Sequence, residues 1–493
     1  MAIRQSKYKH VFGKALKREE CYDCIPITRS THDTSFCAVN PKYLAIITET
    51  SGGGGFAVIP ISQVGRMPNT LPMVAGHTSA VLDIQWCPHN NDIIASASDD
   101  CTVKIWEIPE GGIGKDSLTD AIATLIGHQR RVYLVQWHPT AQGIIVSTGA
   151  DNCVILWDSL TQSQLISVEF PNLVTCLSFS YNGSKLAACC KDGVTRIMDP
   201  RTGNFLNARV CHEGKKPQMC VFLEDDRLFT TGFSRMSERQ LALWDSGNLD
   251  DCLWRQDLDI TNGVLFPFYD PDTQMIFICG KGDSTVRYFE YSASDKQVYY
   301  LSRYDSSDPQ RGFAFMPKLG LNVSVCEIAR LYKLHNKNWC EVISFTVPRK
   351  SGLFQEDLYP DTLAPVAALT ANDWLAGKDA DPIKVSVKEA AHVSSSNFLV
   401  QPQQPSRASS MLVNQSGDNR SGNSKQSSTA SSHLECSTVI DQMSHLIDRL
   451  NLRIQELETR VTRLERKNAG SNDSCHHTDS ENGNEEEATF ERI

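Results

Sequence analysis

No stretch of the sequence reaches about 18 consecutive apolar residues, which excludes a membrane-spanning helix. The opening residues, MAIRQSKYKHVFGK, are basic and lack the apolar segment of a secretory signal, so export is not expected. A basic excess is also missing. Lys and Arg number 48 against 58 Asp and Glu, a net charge of −10 that argues against a general nucleic-acid binder. The 17 cysteines follow no framework spacing and read as reduced, mostly buried thiols of a cytosolic protein. Cys21 and Cys24 form a CxxC without a second pair at finger spacing, and Cys475-His476-His477 sits in a polar stretch, so no metal is expected at either. Gly52-Gly53-Gly54-Gly55 lacks the Lys-Ser/Thr of a phosphate loop and is flanked by strand-like runs, which makes it a hairpin turn and leaves no cofactor to expect. What remains is ordinary globular composition, 41% apolar and 22% charged, enough to fold most of the 493 residues around a core.

The strongest positive signal is self-similarity at about 45 residues. Gly76-His77 opens a segment that closes on Val103-Lys104-Ile105-Trp106, and Gly127-His128 opens one that closes on Val154-Ile155-Leu156-Trp157-Asp158. Inside each, an alternating run (Val81 through Trp86; Val132 through Trp137) precedes a Pro turn, a small apolar strand and a tight acidic turn. Period-2 runs divided by Gly, Pro, Asn and Asp are strands of an antiparallel meander. Fainter copies close at Met198, Trp244 and Phe289, residues 327–334 close a sixth, and residues 36–61 make a seventh. Seven closers predict an all-β, seven-bladed WD-repeat propeller over residues 1–349. Lys9-His10-Val11-Phe12 and 342–347 are the strands expected to seal the ring and remove its exposed edges.

An acid lies six residues before the closing residue in Asp100/Trp106, Asp151/Trp157, Asp192/Met198 and Asp283/Phe289. The turn Asp is expected to accept a hydrogen bond from the opener His (His77, His128), whose other nitrogen links toward the Trp, so that each buried polar group is paired. A His-Asp pair also suggests nucleophilic catalysis, but it repeats blade by blade and no Ser or Cys is seen at a fixed partner position. The network is therefore read as structural, with no catalytic residues.

Residues 350–392 lose the blade pattern but keep Phe354, Tyr359 and Trp374, as expected of an extension packed on the propeller. Residues 393–436 turn to Ser, Gln, Asn and Pro, with 13 serines between 394 and 432, and read as a disordered linker and a candidate phosphorylation target. Residues 437–467 carry Ile440, Ile447, Ile454 and Val461 at a and Met443, Leu450, Leu457 and Leu464 at d, the spacing of a short α-helical coiled coil. β-branched a with Leu at d favours dimers in general. Arg453 with Glu458 and Arg460 with Glu465, each pair spanning an apolar a–d couple, instead match short trimeric coils, so a homo-trimer is expected. Residues 468–493 are an acidic, disordered tail.

The order of these parts resembles the coronin family, and local segments are similar too: Arg4-Gln5-Ser6-Lys7, Phe36-Cys37-Ala38-Val39-Asn40-Pro41, Thr231-Gly232-Phe233-Ser234-Arg235-Met236-Ser237, Gly280-Lys281-Gly282-Asp283 and Asp357-Leu358-Tyr359-Pro360. The resemblance implies a non-enzymatic regulator that binds filamentous actin, engages the branch-nucleating actin-related-protein complex, works with cofilin, and resides in the cytoplasm at the actin cytoskeleton and cell cortex. Actin is acidic, which makes Arg4, Lys7, Lys9, Lys14 and, in the next loop, Arg29 the candidate actin-binding residues. Two departures stand out. Many coronins carry Arg where this chain has Pro26, and position 2 is Ala where some members have a serine. The competing expectation is a WD-repeat scaffold for membrane traffic or ubiquitination that never touches a filament.

Overall fold

The computed structural model describes residues 6–49, 54–114, 116–351 and 353–389. Arg4, Gly52, Gly53 and the stretches read as linker, coiled coil and tail lie outside the described residues. Among the described residues, seven antiparallel sheets form a propeller. The first blade runs outward through Cys37–Val39, Tyr43–Ile47, Gly54–Pro60 and Met73–His77. Gly54 and Gly55 thus belong to a strand, not to the turn expected of the glycine run. Blades two and three follow the repeat read from the sequence, with third strands Thr102–Glu107 and Cys153–Asp158. The inner strands of consecutive blades touch, and Gln310–Phe315 meets Cys37–Val39 where the ring closes. Second strands such as Ile144–Gly149 are buried along their whole length because neighbouring blades cover both faces, whereas the outer strand Ser163–Glu169 is largely exposed.

The seventh blade departs from the sequence reading in two places. Residues 327–334 are not its closing strand. Glu327–His335 is the second strand, and the third is Trp339–Thr346. The outer strand comes from the other end of the chain, but as Phe12–Ala15 rather than residues 9–12, with Phe12 opposite Thr346 and Ala15 opposite Ile343. Tyr8 and Val11 are buried, and a backbone turn joins them (Val11 N–H to Tyr8 C=O, 3.0 Å). Anchoring those two side chains shifts pairing toward the C-terminus by three residues.

Residues 353–389 lie against the face opened by the Pro turns. Tyr359 Oη donates to the Glu327 carbonyl (2.8 Å), and the backbone of Leu369 pairs with Ala141. Thr370 caps the short helix Ala371–Leu375. Trp374 is fully buried, edge-on to His138 with ring centroids 4.8 Å apart and under the Arg201 guanidinium. Burial holds His138 down at about 3, so the ring is neutral. Its hydrogen bonds need that state: Nδ1 accepts from the Thr140 and Ala141 N–H groups while Nε2 donates to the Gly183 carbonyl.

Candidate interaction surface

The opener histidines sit at or just past the end of an outer strand and reach into the next blade. His77, ending Met73–His77, places Nδ1 2.8 Å from Asp100 and Nε2 2.7 Å from Ser96 Oγ, and the Trp106 indole N–H donates to the same oxygen at 2.8 Å. Blade three repeats this with His128, Asp151, Ser147 and Trp157. Blade five substitutes Thr230 for the serine and Gln240 for the acid around His212 and Trp244. Burial alone would raise the Asp100 carboxyl, but hydrogen bonds from His77 and Thr102 hold it well below the usual range. Burial also pushes His128 down, which fits a neutral ring donating from Nδ1 and accepting the Ser147 hydroxyl at Nε2. Each glycine before a histidine leaves room for the Trp ring, since a Cβ on Gly127 would lie 2.7 Å from Trp157.

Ser96 and Ser147 correct the expectation that no serine holds a fixed partner position. Each lies ten residues before its tryptophan, a spacing that was readable in the sequence. The connectivity is that of a Ser-His-Asp triad, but both serines are fully buried and their oxygens already accept the indole N–H, so no substrate carbonyl can reach them. The other two acids do not meet a histidine. Asp192 pairs with Arg196 (2.7 Å), and Asp283 pairs with Arg239 of the preceding blade (2.7 Å). His128→Ala or Asp151→Ala is expected to cost about 1–3 kcal/mol by leaving buried partners unpaired. Unchanged thermal melting of both variants would remove the network from the stability argument.

Three of the candidate basic residues, Lys7, Lys9 and Lys14, fall along the rim of the seventh blade, and Arg29 lies on one face at its junction with the first. Lys14 is exposed on the outer strand opposite Ser344. Lys7, also exposed, lies by the end of Trp339–Thr346 that leads to the extension, where it donates to the Asp357 carbonyl. Lys9 is exposed between them. Arg29 sits away from the rim, in the loop that crosses the face at the opposite end of that strand toward the inner strand Gln310–Phe315. There the Ile25 N–H bonds Asn338, Glu49 accepts from the Arg29 N–H (2.8 Å), and Arg311 grips the Thr28 and Ser30 carbonyls. An eight-residue strand spans about 26 Å, so Lys7 and Arg29 mark opposite faces of the disc with Lys14 between them. Pro26 is exposed in this loop, its carbonyl bonded to the Glu49 N–H. Arg4 falls outside the described residues.

Cys21 is buried in the fold, its sulfur accepting the Val342 N–H, while Cys24 is exposed. Among the described residues no His, Cys, Asp or Glu cluster could hold a metal, and no helix is long and apolar enough to cross a membrane.

Residues 1–66 match a domain of unknown function (DUF1899), residues 69–107, 120–158 and 165–199 match the WD domain, G-beta repeat, and residues 340–382 match a type of WD40 repeat. Human coronin-2A is 46% identical over 398 residues, covering 79% of this chain and 75% of the relative. The WD40 domain of Toxoplasma gondii coronin superposes with a TM-score of 0.74 at 32% identity, covering 77% of this chain and 97% of that domain. A chain of the mitotic checkpoint complex, 14% identical with a TM-score of 0.51 over 71% of this chain and 98% of its own, shares the fold alone.

Proposed function

The chain belongs to the coronin family of actin-binding, WD-repeat cytoskeletal proteins, and from that premise we propose that it grips actin filaments through the rim of its seventh blade. The observation that carries this reading is the exposed cations Lys7, Lys9 and Lys14 along that rim, with the exposed Arg29 on a face of the same blade. Arg4, outside the described residues, is a candidate for the same contact from the sequence. A rim contact can address two faces at once, which suits the groove between neighbouring subunits of an acidic polymer better than a flat cap does. The role is one of binding rather than catalysis. Engagement of the actin-related-protein nucleation complex and of cofilin, trimerisation through Ile447, Leu450, Ile454, Leu457, Val461 and Leu464, and placement at the cell cortex belong to the same proposal. The coil residues lie outside the described residues.

Co-sedimentation with actin filaments tests it. Lys7→Glu with Lys9→Glu, and Arg29→Glu separately, are each expected to weaken retention by about three- to tenfold, with the effect shrinking as salt rises. Loss in one variant alone would confine the contact to one face, and full retention by both would refute the rim.

A further inference from the structure

The inner strands surround a central channel, a cavity of about 680 Å³ with space for roughly twenty waters. Four of its lining residues are cysteines, Cys37, Cys87, Cys176 and Cys220, and the last two lie on adjacent blades: Cys176 on Val174–Phe179 of blade four and Cys220 on Met219–Phe222 of blade five. Their sulfurs stand 4.0 Å apart, and the Cys220 N–H points at Cys176 Sγ from 3.4 Å. Cys176 is partly exposed, whereas Cys37, which lines the same cavity, and Cys279 are buried. We propose that Cys176 and Cys220 form a peroxide-oxidised, reversible disulfide that staples the adjacent blades four and five at the wall of the channel.

The chemistry balances with hydrogen peroxide as oxidant. The Cys176 thiolate attacks one peroxide oxygen, an S–O bond forms, the O–O bond breaks, and the departing hydroxide takes a proton to leave as water. Cys220 sulfur then attacks the sulfenic sulfur, the S–S bond forms, the S–O bond breaks, and the second hydroxide leaves as water with the Cys220 proton. Two thiols are oxidised and both peroxide oxygens are reduced. A hydrogen bond from the Cys220 thiol lowers the Cys176 pKa against the effect of burial, which raises the thiolate fraction on the attacking sulfur. Cys37 and Cys279 are pushed up by burial and have no such partner. Cys189 lies opposite Cys176 in the neighbouring strand of the same blade and is fully buried, so it competes as a resolving thiol but not as the entry point.

The test treats the reduced full-length chain with hydrogen peroxide at neutral pH, blocks remaining thiols by alkylation and maps the peptides by mass spectrometry. The expected product is a Cys176–Cys220 cross-link that dithiothreitol reverses and that forms roughly tenfold faster than any oxidation of Cys37 or Cys279. Cys220→Ser, a near-isosteric change, is expected to leave a sulfenic acid on Cys176 that dimedone traps, and Cys189→Ser to leave the cross-link intact. The proposal is overturned if Cys176 and Cys220 stay alkylatable after the exposed Cys24 and Cys252 have reacted. A cross-link running to Cys189, or Cys176 passing straight to sulfinic acid, overturns it equally.

Discussion

Arg239→Ala is expected to remove about 3–5 kcal/mol of unfolding free energy, among the largest effects of a single substitution in the propeller. Arg239 is 1% exposed, and its guanidinium is enclosed by carboxylates. Nε and Nη2 donate to the two oxygens of Asp259 at 2.6 and 2.7 Å, and Nη1 donates to Asp283 at 2.7 Å. Asp259 ends the outer strand of blade five and Asp283 occupies the turn of blade six, so one side chain joins two blades where the histidine network is missing. Truncation leaves Asp283 without this cation, while Asp259 keeps the 2.7 Å bond from Arg287 as its cationic contact, beside the bonds from the Thr261 N–H and hydroxyl. Denaturant unfolding measures the loss, and a value below about 1 kcal/mol would show that water replaces the guanidinium freely. The pH dependence has a definite sign. Burial alone would raise Asp259, but the bonds from Arg239 and Thr261 hold its carboxyl well below the usual range. A depressed folded-state pKa gives stability that is complete above the unfolded value of about 3.9 and is lost as pH falls through the folded one, so wild type and variant should converge only in strong acid. Arg239→Met keeps the stem packing and removes the charge; if it destabilises nearly as much as alanine, the ion pairs rather than the alkyl contacts carry the effect.

Arg239 also marks where the sequence stops being readable. Blades two and three could be laid out residue by residue because Gly-His, Asp and Trp recur at fixed intervals, and the interval is imposed by one hydrogen-bonded circuit. The partners Arg239 and Asp283 are 44 residues apart with no repeat to align them, so Asp283 was legible as a turn acid but its partner was not. The seventh blade misled for a related reason. Glu327–His335 and Trp339–Thr346 both mix apolar residues with polar ones, neither ends in Trp-Asp, and periodicity alone cannot say which is second and which is third. Residues 9–12 and 12–15 alternate comparably, and the choice between them is made by Tyr8 and Val11 entering a pocket formed with Phe277, Tyr288 and Phe345, more than 260 positions along the chain. The basic residues themselves were plain in the sequence. Their division between two faces was not, because it depends on the antiparallel pairing of a strand from the start of the chain with one from near residue 340.

The second large effect concerns assembly. Ile454→Asp with Leu457→Asp is expected to convert a trimer to monomer in sedimentation and to lower filament retention by about 10²-fold or more, with the propeller unchanged in melting. The magnitude follows from geometry. Three exposed lysines on the rim and Arg29 on the face beside it give a contact that salt weakens readily, worth little more than a micromolar encounter. Tethering three rims turns the second and third contacts into intramolecular events. A Ser-rich tether of the composition of residues 393–436 has a root-mean-square span of about 35 Å, close to the size of one protein subunit, so effective concentrations in the millimolar range are within reach. Arg453 and Arg460 paired with Glu458 and Glu465 on neighbouring helices set the strand number in this proposal, and Arg453→Ala with Arg460→Ala should shift the trimer toward dimer and reduce retention by less than the aspartate pair does. Equal retention by monomer and trimer would place the whole affinity in a single disc. The rim charges would then have to act with a tighter contact, and the charge reversals at Lys7, Lys9 and Arg29 would need to cost far more than tenfold to account for it.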